Sequence, residues 1–191
     1  MSKIILFDGT NTDMWTNLDG TPINWILEDG AMTVNHGCIV SKVAYGDAHI
    51  HLEWREPDMP GKTGQEKGNS GVYIHGCYEL QVLDSYGVDP VGLGDCGAIY
   101  SLYPPRVNAC KPPLEWQTYD IYLRAARMDG DTVVEPAIVT ILQNDQVIHN
   151  NQILPHHTPG GVYSKVVAEG PLMLQDHGNP VSFRNIWIEK L

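Results

Sequence analysis

The residue types best suited to chemistry lie together in the middle of the chain. Glu79 and Gln81 are two positions apart, so in a β-strand both project from one face while Leu80 and Val82 project from the other. Glu79 can take up a proton, and Gln81 can both donate and accept hydrogen bonds. Asp84 falls on the opposite face unless a bulge re-aims it. The stretch predicts a polar strand face that could carry acid–base chemistry, and a merely solvated outer face is the alternative.

A second group of reactive residue types lies near the end of the chain. Gln175 and His177 flank a carboxylate, and Arg184 follows shortly afterwards. Histidine exchanges a proton near neutral pH, while arginine can hold sugar hydroxyls or stabilise developing negative charge. The alternative is a surface hairpin with polar tips.

Aromatic residues near the polar strand would suit a sugar ligand. Tyr73 precedes the strand, and Tyr100 and Trp116 follow it, each close to a long connecting segment. The apolar face of a pyranose ring stacks on a flat aromatic ring. Together with the amide of Asn69, these side chains are candidates for binding a carbohydrate.

The elements that must position these residues are strands. Apolar residues recur with a period of two, most clearly in Ala48–Arg55, Gln117–Arg124 and Phe183–Ile188. Asp-Gly pairs mark the turns between such runs, and no window keeps a helical stripe. The sequence predicts one all-β domain over residues 1–191, a jelly-roll sandwich of two antiparallel sheets.

Several connecting segments are long for a compact domain, and long loops often carry function. They span Pro57–Asn69, Ser85–Gly97, Ser101–Pro113 and Asn150–Gly170. Three of them surround the predicted strand pair Ser70–His75 and Tyr78–Leu83. A functional site is therefore expected beside that pair.

The charge balance narrows the class of ligand. The net charge is −11, with 42% hydrophobic and 18% charged residues and no basic run. Nucleic acid and anionic membrane surfaces would be repelled, whereas a small neutral carbohydrate would not. No signal peptide or apolar span is evident, so the expected compartment is the cytoplasm, or the periplasm or exterior if a leader was removed. Edge strands leave a homo-oligomer open.

Cysteine and histidine spacing gives weaker signals. Cys96 and Cys110 flank one short predicted strand and are the favoured disulfide pair, while four free thiols are the alternative. His49 and His51 have the spacing of a metal site on a strand, but no obvious third ligand accompanies them. No metal site is predicted from these residues.

A set of short motifs resembles the 3-keto-disaccharide hydrolase family. The motifs occur in order over nearly the whole chain: Leu6-Phe7-Asp8-Gly9, Trp15, Trp25, Asp29-Gly30, Leu52-Glu53-Trp54-Arg55, Asn69-Ser70-Gly71, Tyr78–Asp84, Gly97–Tyr100, Glu115-Trp116, Leu174–Gly178 and Phe183–Ile186. The resemblance implies a concanavalin A-like jelly roll with a sugar site on the concave face of one sheet. It also implies action on glycosides already oxidised at C3 of the sugar.

A ketone at C3 acidifies the proton on C2, so the group on C1 can leave by β-elimination and water can then add back. Such a site needs a base, an acid and hydrogen-bond donors for the ketone. The expected catalytic residues are Glu79 and His177, one as base and the other as acid, with Gln81. The expected substrate-binding residues are Asn69, Tyr73, Asp84, Tyr100, Trp116, Gln175 and Arg184. Of these, Asn69 and Arg184 are expected to hold the keto oxygen and hydroxyls together with Gln81.

Two further expectations stay open on the sequence alone. A divalent cation could replace some hydrogen-bond donors and stabilise the enolate as a Lewis acid, although no cofactor is required by any motif. A non-catalytic carbohydrate-binding module would use the same sheet face without an acid or base. An interaction domain with a wet polar face is the third reading.

Overall fold

The prediction of an all-β chain is confirmed. The computed structural model describes residues 3–191, which form strands, turns, one short 3₁₀ turn at Gly64–Glu66 and irregular segments, with no α-helix in that range. Among the same residues, none belongs to a helix that could serve as a membrane span.

The larger sheet has eight strands, all paired antiparallel. In spatial order they are β13 (Gln146–Leu154), β12 (Ala137–Gln143), β9 (Gln117–Arg124), β6 (Ala48–Arg55), β15 (Ser182–Lys190), β4 (Ala31–Thr33) and β3 (Ile26–Glu28), with β1 (Lys3–Phe7) also paired to β15.

The second sheet has five strands, again antiparallel. Their order is β2 (Trp15–Asn17), β5 (Ile39–Tyr45), β14 (Gly170–Leu174), β7 (Asn69–Ile74) and β8 (Tyr78–Leu83). A separate ribbon joins β10 (Arg127–Asp129) to β11 (Thr132–Glu135).

The two large sheets share one hydrophobic core, which makes the domain a sandwich consistent with a jelly roll. Ile50, Leu52 and Trp54 of β6 are fully buried in that core together with Val72 and Leu80 of the other sheet. The residues that alternate with them on β6 lie on the outer face and are only partly buried. The alternation seen in the sequence therefore divides core from surface as predicted.

β7 and β8 depart from this pattern because every residue in both strands is buried. A strand buried on both faces needs cover on the side away from the core. Long connecting segments supply that cover, and they form the site described below.

Two sequence expectations about elements need correction. The short strand predicted between Cys96 and Cys110, at Ala98–Tyr100, is not formed, because only Ile99 pairs, through isolated bridges to Leu80 and Tyr103. The first residues of the expected loop Asn150–Gly170 belong instead to β13, which continues to Leu154.

The cysteines are all free thiols in the structure, so the favoured disulfide is not formed. The thiols of Cys96 and Cys110 nevertheless lie together, each 3.5 Å from the side-chain nitrogen of Gln143. This group belongs to a buried polar network that includes Glu56, whose carboxylate accepts hydrogen bonds from the indole of Trp54 and the amide of Gln117. Burial raises the pKa of Glu56 to about 7.

Candidate active site

The β7–β8 hairpin forms the floor of a hollow on the outer face of the five-stranded sheet. Tyr73 pairs with Glu79 and Gly71 with Gln81, and residues directly opposite in an antiparallel pair share one face. Leu80, between Glu79 and Gln81, belongs to the core. Glu79 and Gln81 therefore project together away from the core, as the sequence predicted.

Segments from several parts of the chain complete the walls. The hollow has a volume of about 180 Å³, below the range of about 300–1,000 Å³ typical of ligand pockets, which suits one small ring. Its lining consists of Gln65, Asn69, Tyr73, Glu79, Gln81, Tyr100, Pro159, Gly160, Gln175 and His177. Glu79 and Gln81 are almost fully buried, whereas His177 is exposed and forms part of the rim.

The absence of a side chain at Gly71 makes the floor possible. A Cβ atom there would lie 2.7 Å from Glu79 Oε1 and 3.2 Å from Gln175 Oε1. These two oxygens therefore occupy the space that any other residue at position 71 would fill.

Glu79 is the titratable group of the floor. Burial disfavours its charged form and raises its pKa to about 7, and a hydrogen bond from Tyr73 opposes the shift. Burial and the neighbouring charge of Glu79 in turn raise the pKa of Tyr73, so that side chain stays a neutral hydroxyl. A carboxyl group with a pKa near 7 is suited to proton transfer at neutral pH.

Two amides of the floor are held by a third amide on the wall. The side-chain nitrogen of Asn69 donates to the backbone oxygen and Oε1 of Gln65, at 3.1 and 3.0 Å. The side-chain nitrogen of Gln81 donates to Oε1 of Gln65 and to the backbone oxygen of Gly94, at 3.3 and 3.1 Å. The N–H groups of Asn69 and Gln81 are thus engaged within the protein.

Gln175 is oriented in the same way from the opposite wall. Its side-chain nitrogen donates to the Tyr73 hydroxyl at 3.2 Å, and that hydroxyl lies 3.1 Å from the backbone oxygen of Pro159. The side-chain oxygens of Gln81 and Gln175 are buried and receive no hydrogen bond from any of residues 3–191. These two oxygens are therefore free to accept hydrogen bonds from a ligand in the hollow.

The walls are pinned to the floor by short hydrogen bonds. Thr158 Oγ1 accepts from the backbone N–H of Glu79 at 2.7 Å, which fixes the segment that carries Pro159. The backbone N–H of Tyr100 donates to the backbone oxygen of Glu79 at 3.0 Å. On the third side, Asp176 accepts from the N–H groups of Gly37 and Gly178, both at 2.8 Å, and so anchors the turn that bears His177.

Most of the residues predicted from sequence converge here. Those that line the hollow are Glu79, His177, Gln81, Asn69, Tyr73, Tyr100 and Gln175. Asp84 does not line it, because its carboxylate follows the end of β8 and forms an ion pair with Lys67 at 2.6 Å. Asp84 is buried and ties the preceding long segment to the strand end, which is a structural position.

Trp116 and Arg184 also lie elsewhere, on the outer face of the eight-stranded sheet. The guanidinium of Arg184 stacks over the Trp116 ring, 4.0 Å from its centroid, and pairs with Glu53 on β6 at 2.6 Å. β15 places Arg184 opposite Glu53, on the side of the sandwich away from the hollow. Closeness in sequence to a long loop did not indicate which sheet these two residues join.

The sequence prediction missed Gln65, Pro159 and Gly160. Gln65 lies in the 3₁₀ turn of the segment that precedes β7, and the other two lie in the segment between β13 and β14. The only signal was that both segments are long, because no spacing rule links an irregular segment to a particular strand face.

Among residues 3–191, no group of three or more His, Cys, Asp and Glu side chains is arranged to hold a metal ion. The two rings of the His49–His51 pair both contact Asp120 Oδ1, at 2.8 and 3.0 Å. The divalent cation considered from the sequence stays a prediction.

The family model of the 3-keto-alpha-glucoside-1,2-lyase-like domain matches residues 2–189. The chain belongs to this family. The resemblance drawn from the ordered motifs is therefore confirmed for the 3-keto-alpha-glucoside-1,2-lyase-like domain as a whole.

One solved structure supports the same assignment, and two others show the fold. A protein of Parabacteroides distasonis described as a "putative glycosyl hydrolase" is 37% identical, with a TM-score of 0.91 over 99% of this chain and 84% of that one. A second such protein of that organism is 22% identical, with a TM-score of 0.69 over 99% and 94% of the two chains, and shows the fold. The alginate lyase Aly36B shares the fold at 8% identity and a TM-score of 0.54, over 100% and 97%. No curated protein matches the chain.

Proposed function

We propose that this chain cleaves 3-keto-glycosides in the hollow on the five-stranded sheet, by elimination followed by hydration. One observation carries the proposal: a buried carboxyl group, Glu79, whose pKa is about 7, lies in the same hollow as His177. Hydrogen-bond acceptors line the walls of this hollow, which has room for one sugar ring. The family and the hydrolase neighbours support a glycoside-cleaving activity.

Glu79 is the base in this proposal. The C2 proton next to a ketone is a weak acid, so a stronger base than an ordinary carboxylate speeds its removal. Burial makes Glu79 such a base because it raises the pKa of the carboxyl to about 7. Its place on the floor also keeps bulk water away from the developing enolate.

His177 is the acid, because the leaving group must depart through the open side of the hollow, where His177 lies. The hydroxyl of Tyr100 is the donor offered to the C3 oxygen. Asn69 and Gln81 are poorly placed for that task, since their N–H groups already donate to Gln65 and Gly94. This changes the role expected from the sequence, in which those amides held the ketone.

The proposed reaction begins with removal of the C2 proton and ends with hydration. Glu79 takes the C2 proton, and the C–H electrons form the enolate of the C3 ketone. The enolate then expels the C1 substituent, whose oxygen receives a proton from His177, and a C1–C2 double bond remains. Water adds across that bond, placing hydroxyl on C1 and a proton on C2, and the product is the free 3-keto sugar.

A chromogenic 3-keto-glucoside tests the proposal directly. Release of the chromophore should fall by about 10²–10⁴-fold in Glu79→Gln and in His177→Ala, because each removes one proton-transfer group. Gln146→Met, an exposed change on β13, serves as the matched control and should leave the rate unchanged.

The unoxidised glucoside with the same chromophore completes the experiment. It should not be cleaved, because without the ketone no enolate can form. Cleavage of this compound but not of the 3-keto form would refute the mechanism. Binding of either sugar without any turnover would instead identify a carbohydrate-binding module.

A further inference from the structure

The orientation of the amides on the floor carries a consequence for the ligand. An amide side chain can present either its oxygen or its nitrogen, and only its neighbours decide which. Here the neighbours include backbone carbonyl oxygens, which can accept hydrogen bonds but cannot donate them.

Gln65 sets the orientation on one wall. Its side-chain nitrogen donates to the backbone oxygen of Gly94 at 2.8 Å, so its Oε1 must point the other way, toward Asn69 and Gln81. Gln81 is held jointly by Gln65 and Gly94, because its side-chain nitrogen donates to Gln65 Oε1 and to the Gly94 carbonyl. Asn69 is fixed by the backbone carbonyl of Gln65. Reversing either amide would bring two acceptors together.

Gln175 is constrained on the opposite wall. The Tyr73 hydroxyl has one proton, and both the Pro159 carbonyl and Glu79 are acceptors within its reach. Whichever takes that proton, the hydroxyl oxygen is left to accept from the nitrogen of Gln175. The Gln175 oxygen is then the free end, and it is buried beside Glu79 over Gly71.

We infer that the hollow selects a neutral sugar ring by its free hydroxyl groups, which donate to the carbonyl oxygens of Asn69, Gln81 and Gln175. Gln65 is the specificity-determining residue, because it holds two of these amides, those of Asn69 and Gln81, in place. The part of this inference that concerns the position of the ketone rests on the proposed function. The C3 oxygen cannot donate once it is a carbonyl, so it must face Tyr100 and the rim.

A hard cation is the competing occupant, because it also prefers carbonyl oxygens. The floor offers it little charge, since Glu79 is the one carboxylate of the lining and burial drives it toward the neutral form. The aromatic rings of Tyr73 on the floor and Tyr100 on the wall suit the C–H face of a sugar ring instead.

Deoxyfluoro sugars test the inference without any turnover. Fluorine is close in size to hydroxyl but has no proton to donate. Calorimetric binding of methyl glucoside is compared with its 2-, 3-, 4- and 6-deoxyfluoro analogues, with and without EDTA. At two or more positions other than C3, fluorine should weaken binding about 3- to 10-fold, as expected for loss of one hydrogen bond. Fluorine at C3 should be tolerated.

The variant Gln65→Met separates positioning from simple packing. It should narrow the difference in affinity between the parent sugar and the sensitive fluoro analogues, because Asn69 and Gln81 each lose one of the two acceptors that hold their amides. Gln146→Met should leave the difference unchanged. An intact melting temperature for Gln65→Met shows that the fold is retained, and the analogue series on the unaltered protein decides the matter if that variant fails to fold.

Four results would overturn the inference: equal binding of every fluoro analogue, a loss confined to C3, binding that EDTA abolishes, or no binding of the parent sugar. Failure of the proposed function is a separate result, namely absence of turnover on the 3-keto substrate. If the protein bound sugars with the expected pattern of fluoro analogues but did not cleave the 3-keto substrate, the inference would stand and the proposed enzymatic function would be refuted.

Discussion

Glu79 is both a buried residue of a core strand and a titratable group of the hollow. It lies on a strand whose alternate residues form the core, and it is itself almost fully buried by the covering segments. The same burial that would destabilise a charged carboxylate gives the group a pKa of about 7. An acid group whose pKa is raised in the folded state binds its proton more tightly there, so this burial costs stability as pH rises from about 4.5 to about 7.

The pH dependence of turnover follows from that shift. If Glu79 is the base, only its ionised form acts, so turnover should rise with pH through an apparent pKa of about 7 and fall by about tenfold for each unit below pH 6. The measurement is initial rate of chromophore release across pH. Turnover that did not fall as the pH was lowered below 7 would contradict the base role of Glu79.

The sequence could predict which side chains face the hollow but not which ends of their amides do. The positions of Glu79 and Gln81 follow from the period of a strand. Whether Gln81 donates or accepts depends on Gly94, a residue on an irregular segment. Such contacts are set by tertiary packing, and no local pattern in the chain encodes them.

At the scale of elements, the β7–β8 hairpin depends on the missing side chain at Gly71. Gly71→Ala should fold, because Gly71 has no unusual backbone angle, but the methyl group would displace Glu79 and Gln175. We expect turnover to fall by about 10²-fold or more, since small misplacements of catalytic groups are costly. Initial rates and the melting temperature are the two measurements.

Gly46→Ala is the matched control for this change. Gly46 also has an ordinary backbone angle, and a Cβ atom there would meet nothing closer than 3.7 Å. Both variants should melt near the temperature of the parent protein. Full activity in Gly71→Ala would show that Glu79 and Gln175 do not need their observed positions.

The strands with clean alternation were predictable, and those without it were not. β6 and β9 begin and end where the sequence pattern places them. β5 was missed because its outward positions mix Val, Lys and Ala, which weakens the contrast between its faces. Trp116 and Arg184 were assigned to the wrong face of the molecule because sheet membership depends on long-range pairing.

At the scale of the whole molecule, charge limits the substrates. The net charge is −11, and neither Lys nor Arg lines the hollow. We expect methyl glucuronide to bind at least about tenfold more weakly than methyl glucoside, because like charges and unpaired acceptors oppose its carboxylate.

Salt provides the control for this comparison. Screening by added salt should reduce the difference in affinity between methyl glucuronide and methyl glucoside, and it should leave the affinity for the neutral glucoside unchanged. Calorimetry at low and physiological salt measures both effects. Tighter binding of the glucuronide than of the glucoside at either salt concentration would contradict the prediction.

The register of β7 against β8 also governs how function can be lost. A slip of one residue would turn Glu79 and Gln81 inward and expel Leu80 and Val82 from the core. Correct pairing of β7 with β8 therefore forms the floor of the hollow and this part of the core at the same time. Molecules with a misaligned hairpin would be cleared as unfolded protein and would not persist as a weakened catalyst. Destabilising changes far from the hollow should accordingly lower the yield of this protein while the specific activity of the surviving molecules stays constant.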